Sequence, residues 1–394
     1  MMAGITRREW VKRGAMAGVG MVTAAAMPCL GQAAGTPGSE KTGVGAGSLK
    51  EHAEAKRLPV GAAVNMALLR GDETYRRVLA EQYNMVVGEN CMKWAALRPT
   101  AETFKFDEAD ELVSFAEQHG MQVRGHNLCW HEQLPAWFAG AVTKENAAKV
   151  LTDHIATVAG RYKGRIHSWD VVNEAVWMKD GRPDGMRSSS PWYELLGPAY
   201  LEVAFRAARA ADPGALLTYN EYGIEYDEPE EQGKRAAVMA LLKQLRETKG
   251  PGGRPLVDAV GVQSHLKTAN IAKLGEGIRD FAGKARKMGL QVFVTELDVD
   301  DDSLPDEEAL QQDRDVATVY GHYLAQMLQE RSVTAVLTWG LADGQSWLQG
   351  EKSRVKHPQR MQRPLPFLVD ENGTYRAKPA YFAMRDAVDG AKRR

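Results

Sequence analysis

The sequence predicts an α/β fold, a single (β/α)8 TIM barrel, and three observations carry the prediction. Short runs of β-forming residues alternate with helical patterns eight times, as a parallel sheet with helical crossovers requires. Polar and aromatic residues gather at the carboxyl ends of nearly all eight runs, where barrel enzymes build their sites. The first run, from Val60 to Leu68, lacks the Gly-rich phosphate turn that an open doubly wound sheet usually carries there.

The N-terminal segment reads as an address. Thr6-Arg7-Arg8-Glu9-Trp10-Val11-Lys12 precedes a soft apolar run from Gly14 to Met27. Paired arginines, a following lysine and a mild apolar core resemble a twin-arginine export signal. Gly31-Gln32-Ala33 supplies small residues for cleavage, and Ala26-Met27-Pro28-Cys29 is a poor lipidation box. Residues 1–34 are therefore expected to be a signal peptide, residues 35–55 a Gly-rich flexible linker, and residues 56–394 the catalytic domain. The expected destination is the periplasm or the medium.

From residue 56 the β runs fall near 60–65, 85–90, 122–128, 166–173, 216–221, 259–265, 291–297 and 335–340. Most are apolar throughout, as strands buried on both faces should be. Helical patterns lie near 72–83, 107–119, 143–162, 193–211, 230–249, 272–288, 306–331 and 378–389. Asp107 and Thr143 are expected as N-caps, and Gly120 and Gly289 as helix stops. At the strand ends stand Asn65; Glu89, Asn90, Lys93 and Trp94; His126, Trp130 and His131; and Asn173 and Glu174. Asn220 and Glu221, Gln263 and His265, Glu296 and Asp298, and Trp339 complete the ring.

Composition narrows the function. The 394 residues carry 50 Lys and Arg against 51 Asp and Glu, a net charge of −1. That leaves no basic surplus for neutralising phosphates, so no nucleic-acid partner is expected. Removing residues 1–34 takes away Arg7, Arg8, Lys12, Arg13 and Glu9, and moves the net charge from −1 to about −4. Cys29, Cys91 and Cys129 are too few for a disulfide framework and lack zinc-site spacing. No apolar run spans a membrane. Cys91 and Cys129 fall on neighbouring strands, but a chain folded before export favours two free thiols.

Two segments carry chemistry. Trp169-Asp170-Val171-Val172-Asn173-Glu174 and Val292-Phe293-Val294-Thr295-Glu296-Leu297-Asp298 each deliver carboxylates to a strand end. A partly buried carboxylate taken singly commonly ends in an ion pair. Two glutamates facing across a barrel mouth supply what glycoside hydrolysis needs: one protonates the leaving oxygen, one attacks or activates water. Trp339 and Trp347, on loops, suit flat stacking against sugar rings, whereas Trp169 is expected in the core. A metal cluster of His126, His131, His265 and Glu296 is disfavoured because the first strand has no His-x-His. Lys93 as a Schiff-base lysine is disfavoured too, and adjacent Ser264 and His265 make no triad. No cofactor is expected.

Together these segments resemble glycoside hydrolase family 10, the endo-β-1,4-xylanase family. The resemblance runs from about Leu58 to Val388. It rests on Glu89-Asn90-Cys91-Met92-Lys93-Trp94, on Arg124 to His131, on Trp169 to Ala175, and on Asp258 to Leu266. Thr295-Glu296-Leu297-Asp298, Thr338-Trp339-Gly340 and Ser346-Trp347 complete it, all in family order. The resemblance implies a retaining mechanism with Glu174 as acid/base and Glu296 as nucleophile, their carboxyls about 5–5.5 Å apart. It implies that Asn173 bonds the sugar 2-hydroxyl. It implies further that Glu89, Asn90, Lys93, His126, Trp130, Gln263, Trp339 and Trp347 line the glycone side. His265 is expected to favour the charge of Glu296, with Asp298 and Tyr222 in support. The implied partner is xylan, as polymer or oligosaccharide, acted on by a monomer.

Departures from the family pattern matter. The family often has Asn-Asp-Tyr-Asn where this chain has Asn220-Glu221-Tyr222-Gly223, which should alter leaving-group contacts. Ala95-Ala96-Leu97-Arg98-Pro99 lacks the usual acidic residues. Lys352, Arg354, Lys356, Arg360 and Arg363 form a basic segment, expected to be a solvated loop or to contact acidic groups on the glycan. Two rivals stay open: a hydrolase or transglycosylase on another β-1,4-glycan, and a carbohydrate-binding protein without catalysis.

Overall fold

The computed structural model describes residues 47–304, 308–350 and 360–394, with 353, 355 and 358 between them. The expected signal peptide, the first part of the expected linker, and Lys352, Arg354 and Lys356 lie outside the described residues.

Eight parallel strands close into a barrel: β1 (Val60–Val64), β2 (Met85–Gly88), β3 (Gln122–His126), β4 (Ser168–Asn173), β5 (Leu216–Glu221), β6 (Ala259–Val262), β8 (Gln291–Asp300) and β9 (Val333–Thr338). Neighbours in this series pair in parallel, and β9 returns to β1. The short β7 (His265–Lys267) runs only beside the outer end of β8, so β6 pairs with β8 directly. Each barrel strand falls on one of the eight predicted runs. A small hairpin, β10 (Phe367–Val369) and β11 (Tyr375–Ala377), follows.

The helices are α1 (Leu49–Lys56), α2 (Glu73–Gln82), α3 (Asp107–Gln118), α4 (Ala147–Arg161), α5 (Ala199–Ala211), α6 (Pro229–Glu247), α7 (Gly277–Lys287), α8 (Ala309–Met327) and α9 (Pro379–Gly390), with shorter turns between. Gly120 and Gly289 end α3 and α7 as expected. Each has a left-handed φ, +64° and +73°, and the next residue's N–H reaches back to Ala116 and Ala285.

Three local expectations need correction. Residues 49–55 are not linker: they form α1, opened by a capping box in which Ser48 and Glu51 bond each other's backbone N–H. The Leu49 N–H docks this helix on Gln82 and on Tyr381 of α9. Asp107 is no cap. Phe106 holds that position and Asp107 lies in the first turn, where its charge meets the helix dipole. Thr143 is no cap either, because α4 starts at Ala147 and Thr143 closes the preceding turn with Asn146.

The main core lies between sheet and helices, while a smaller cluster fills the barrel floor with Ala63, Met85, Val87, Ala259, Phe293, Ala335 and Leu337. Above that floor the lumen turns polar. Arg124, buried, lies over the Phe293 ring, pairs with Asp170 and donates to Ser168. The peptide His126–Asn127 is cis.

Both carboxylate-bearing strands break their alternation just before the site. On β4 the register slips between Asp170 and Val172, and on β8 between Val294 and Leu297. Each slip inserts one residue and reverses the phase of the residues after it. Thus Ser168 and Asp170 bond within the lumen, and after the bulge Asn173 does too. Thr295 and Glu296, adjacent in sequence, both reach Asn220.

Candidate active site

Glu174 sits just past β4 with φ +60°, a left-handed conformation that costs a non-glycine residue about 1–3 kcal/mol. The turn is held from several sides. Glu174 N–H donates to the Asn220 carbonyl at 2.9 Å, Ala175 N–H to the Tyr219 hydroxyl at 3.1 Å and Val176 N–H to Glu221 at 3.1 Å. The Arg187 Nε–H donates to the Glu174 carbonyl at 2.9 Å. The Glu174 carboxyl accepts from Trp130 Nε1 at 2.9 Å, Gln263 Nε2 at 2.9 Å and Asn173 Nδ2 at 3.1 Å. Burial raises its pKa, and the charges of Glu221 and Glu296 add to that, against the lowering effect of Gln263 and Trp130.

Glu296 lies on the barrel's seventh strand, β8. Its Oε1 accepts from Asn220 Nδ2 at 2.7 Å, and its Oε2 lies 3.3 Å from His265 Nε2. Burial works to raise its pKa, but the bond from His265, the nearby His126 and His265, and Asn220 bring it down to about 2. His265 answers in the opposite sense. Burial disfavours its charge, yet Asp298, 2.8 Å from Nδ1, and Glu296 hold its pKa well above the usual imidazole range. A protonated imidazole then donates to both carboxylates. Asp298 also accepts from Trp347 Nε1 at 2.7 Å, so one aspartate sets both the histidine and the tryptophan.

One amide chain joins the two glutamates. Asn220 Nδ2 donates to Glu296 and to the Asn173 oxygen at 2.9 Å, while Gln263 Nε2 reaches that oxygen at 3.3 Å as well as Glu174. Thr295 fixes the amide's direction by donating to Asn220 Oδ1 at 2.8 Å.

The rest of the expected set converges on the same end of the barrel. Lys93, nearly buried, donates to Asn90 and lies over the rings of Trp130 and Trp339 at 5.2 and 5.7 Å. Burial lowers its pKa against the pull of Glu296, Glu89 and Glu174. Glu89 accepts from Asn65, and burial raises its pKa. His126 directs Nδ1 to Asp170 at 3.0 Å, and its Nε2 lies 3.4 Å from the Asn127 amide nitrogen. Tyr222 accepts a bond from Arg187 at 3.2 Å and carries Lys234 over its ring at 3.8 Å.

Several expectations change. Trp339 is no open platform: it is 8 % exposed, with His126 and His265 edge-on at 5.2 and 6.4 Å, and belongs to the barrel packing. Trp347 is 52 % exposed and does present a surface. Trp94 is structural, stacked on His154 at 3.6 Å. Glu221 does not face a leaving group. It is buried, bonding Tyr219, the Val176 N–H and Lys234 from behind the Glu174 turn. Of the basic segment, Arg360 bonds the Asp301 and Leu304 carbonyls and Arg363 pairs with Asp313, so both turn inward and not toward a glycan. Cys91 and Cys129 are buried and free.

Sequence reasoning named Asn220 and Thr295 without giving them a role, and left Arg187 and Lys234 out of the site. Asn220 had a signal, an amide at a strand end. Arg187 and Lys234 had none, because they come from a loop and from α6 and act through other residues.

A closed parallel barrel with two opposed, oppositely polarised glutamates among amides and aromatics defines a glycoside hydrolase. The chain belongs to glycosyl hydrolase family 10, whose model matches residues 48–387. It is 36 % identical over 322 residues to endo-1,4-beta-xylanase A of Thermotoga neapolitana, a match covering 78 % of this chain and 28 % of that much longer protein. It is 33 % identical over 348 residues to endo-1,4-beta-xylanase B of the same organism, covering 86 % and 91 %. Its structure resembles that of xylanase 10B from Thermotoga petrophila RKU-1 in complex with xylobiose, with a TM-score of 0.73 and 34 % identity over 87 % of this chain and 97 % of that one.

Proposed function

We propose that this chain is a retaining endo-1,4-β-xylanase acting on xylan, with Glu174 as acid/base and Glu296 as nucleophile. The observation that carries the reading is the opposite polarisation of two carboxyls on one hydrogen-bonded chain: Glu174 shifts toward its protonated form, Glu296 toward its ionised one. Xylan as substrate is supported by relatives named xylanases and by a similar structure titled as a xylobiose complex.

In the first step a Glu296 oxygen bonds the anomeric carbon. The glycosidic C–O bond breaks, and the Glu174 proton passes to the departing oxygen. Glu296 loses its charge in the ester, and Glu174 is left as a carboxylate. In the second step a water oxygen bonds the same carbon, its proton goes to Glu174, and the bond to Glu296 breaks. By the family resemblance Asn173, whose amide lies between Glu174 and Asn220, bonds the 2-hydroxyl as charge develops. The basic limb of kcat/KM therefore follows Glu174, above the usual carboxylate range, and the acid limb follows Glu296, near 2.

The test is product stereochemistry. Proton NMR of xylo-oligosaccharide hydrolysis should show the β-anomer first, and E174Q and E296Q should each lose about 10²-fold or more. An α-anomer appearing first would refute double displacement. Release of reducing sugar from β-1,4-glucan but not xylan would refute the substrate. We further propose export by the twin-arginine route as a monomer, testable by blocking that route in cells and by the mass in solution.

A further inference from the structure

We infer that Arg187 is the positioning residue that aims Glu174 at the leaving oxygen. The inference rests on the acid/base assignment of Glu174.

Arg187 grips the Glu174 turn twice. Its Nε–H donates to the Glu174 carbonyl at 2.9 Å, and its own backbone N–H donates to the Ala175 carbonyl at 2.7 Å. These bonds fall on the two residues whose backbone follows the left-handed φ of Glu174. A non-glycine residue released from such a bend relaxes toward ordinary φ, and that rotation swings its carboxyl. The second arm of the guanidinium donates to the Tyr222 oxygen at 3.2 Å. With that oxygen accepting, the phenol's own hydrogen is left to point elsewhere. The guanidinium plane is fixed over Trp177 at 4.8 Å, and the whole side chain is nearly buried.

The neighbours account for the residue type. Glu221 and Lys234 form a buried pair at 2.9 Å behind the same turn, and Lys234 lies over Tyr222. With Lys234 already satisfying Glu221, Arg187 is free to use its donors on a carbonyl and a phenol. The forked, planar guanidinium spans both acceptors, which a single ammonium does not.

A group that aims a general acid matters only when the leaving group needs a proton. The diagnostic is therefore the dependence on leaving group, read as kcat/KM, which reports the first bond-breaking step. The variants R187M and R187K are compared with E174A on xylotetraose and on 2,4-dinitrophenyl β-xylobioside, whose phenolate departs unprotonated. E174A should lose about 10³-fold on xylotetraose and little on the aryl glycoside. R187M should lose about 30-fold on xylotetraose and under about threefold on the aryl glycoside, with R187K between wild type and R187M. Thermal melting accompanies each variant, and R187K serves should R187M not fold. Equal losses on both substrates in the Arg187 variants, with E174A behaving as stated, would overturn the inference and leave a merely structural arginine. Unchanged xylotetraose hydrolysis would overturn it as well. Equal losses in E174A would remove the acid assignment itself, and the inference with it.

Discussion

His265 shows how one side chain sets a charge state. It stands between Asp298 and Glu296, protonated, donating to both. In H265Q a neutral amide replaces that cation. The Glu296 pKa should rise from about 2 toward the usual carboxylate range, because the ionised form loses its strongest partner. The acid limb of kcat/KM should then move up, which a pH–rate profile reads directly. The two loop tryptophans divide along burial. W347A removes an exposed ring and should raise KM with little change in melting temperature. W339A opens the barrel packing and should cost about 3–5 kcal/mol in a denaturant titration. Both tryptophans stood out in the sequence, but their roles did not. A residue's type and distance from a strand end say nothing of whether histidines will close over it.

At the scale of elements, the eight strands and the helices between them were legible because both-face burial and helical periodicity leave strong patterns. The bulges on β4 and β8 were not. Val171-Val172 and Val294-Thr295-Glu296 read as plain strand, and no glycine or proline marks the slip. Yet the slips decide which residues enter the lumen: unbroken alternation after Asp170 would put Val172, not Asn173, inside. The helix α1 was misread for a related reason, since the glycines before it suggested a linker continuing past Ser48. Its capping box and its bonds to Gln82 and Tyr381 make it part of the barrel. S48A should therefore cost about 1 kcal/mol. A chain beginning at residue 57 should melt well below one beginning at residue 47, as calorimetry would show.

At the scale of the molecule, buried histidines limit acid tolerance, with His131 among them lying 3.9 Å from the Glu174 carboxyl. His154 is fully buried against Trp94, and burial followed by the charge of Arg98 holds its pKa well below the usual imidazole range. Burial likewise lowers His131 to about 3 and His167 to about 4. In the unfolded chain all three titrate near 6.5. Above that pH both states carry neutral imidazoles and nothing is lost. Below it the unfolded state takes up protons that the folded state refuses, so stability falls, by up to about 1.4 kcal/mol per pH unit for each histidine. Between pH 6.5 and about 4 the enzyme should lose melting temperature while Glu296 stays ionised. H154F keeps a flat ring against Trp94 and should flatten that dependence in melting curves at pH 5 and 7. An unchanged slope would rule His154 out as a contributor.

The two ends of the described barrel meet. The helix α1 leads into β1 and lies against α9, with His52 paired to Asp389 at 2.7 Å and the Arg394 N–H donating to the Lys56 carbonyl at 2.9 Å. Arg394 also bonds the carbonyl of Val333, the first residue of β9, so this meeting point is at the amino ends of the strands. The carboxylates stand at the other ends. The order in which the chain visits the barrel is thus separable from the place where it works. Joined through a short tether and reopened at a solvent-facing loop on the amino-end side, the same ring could be read from a new starting point with its catalytic face undisturbed.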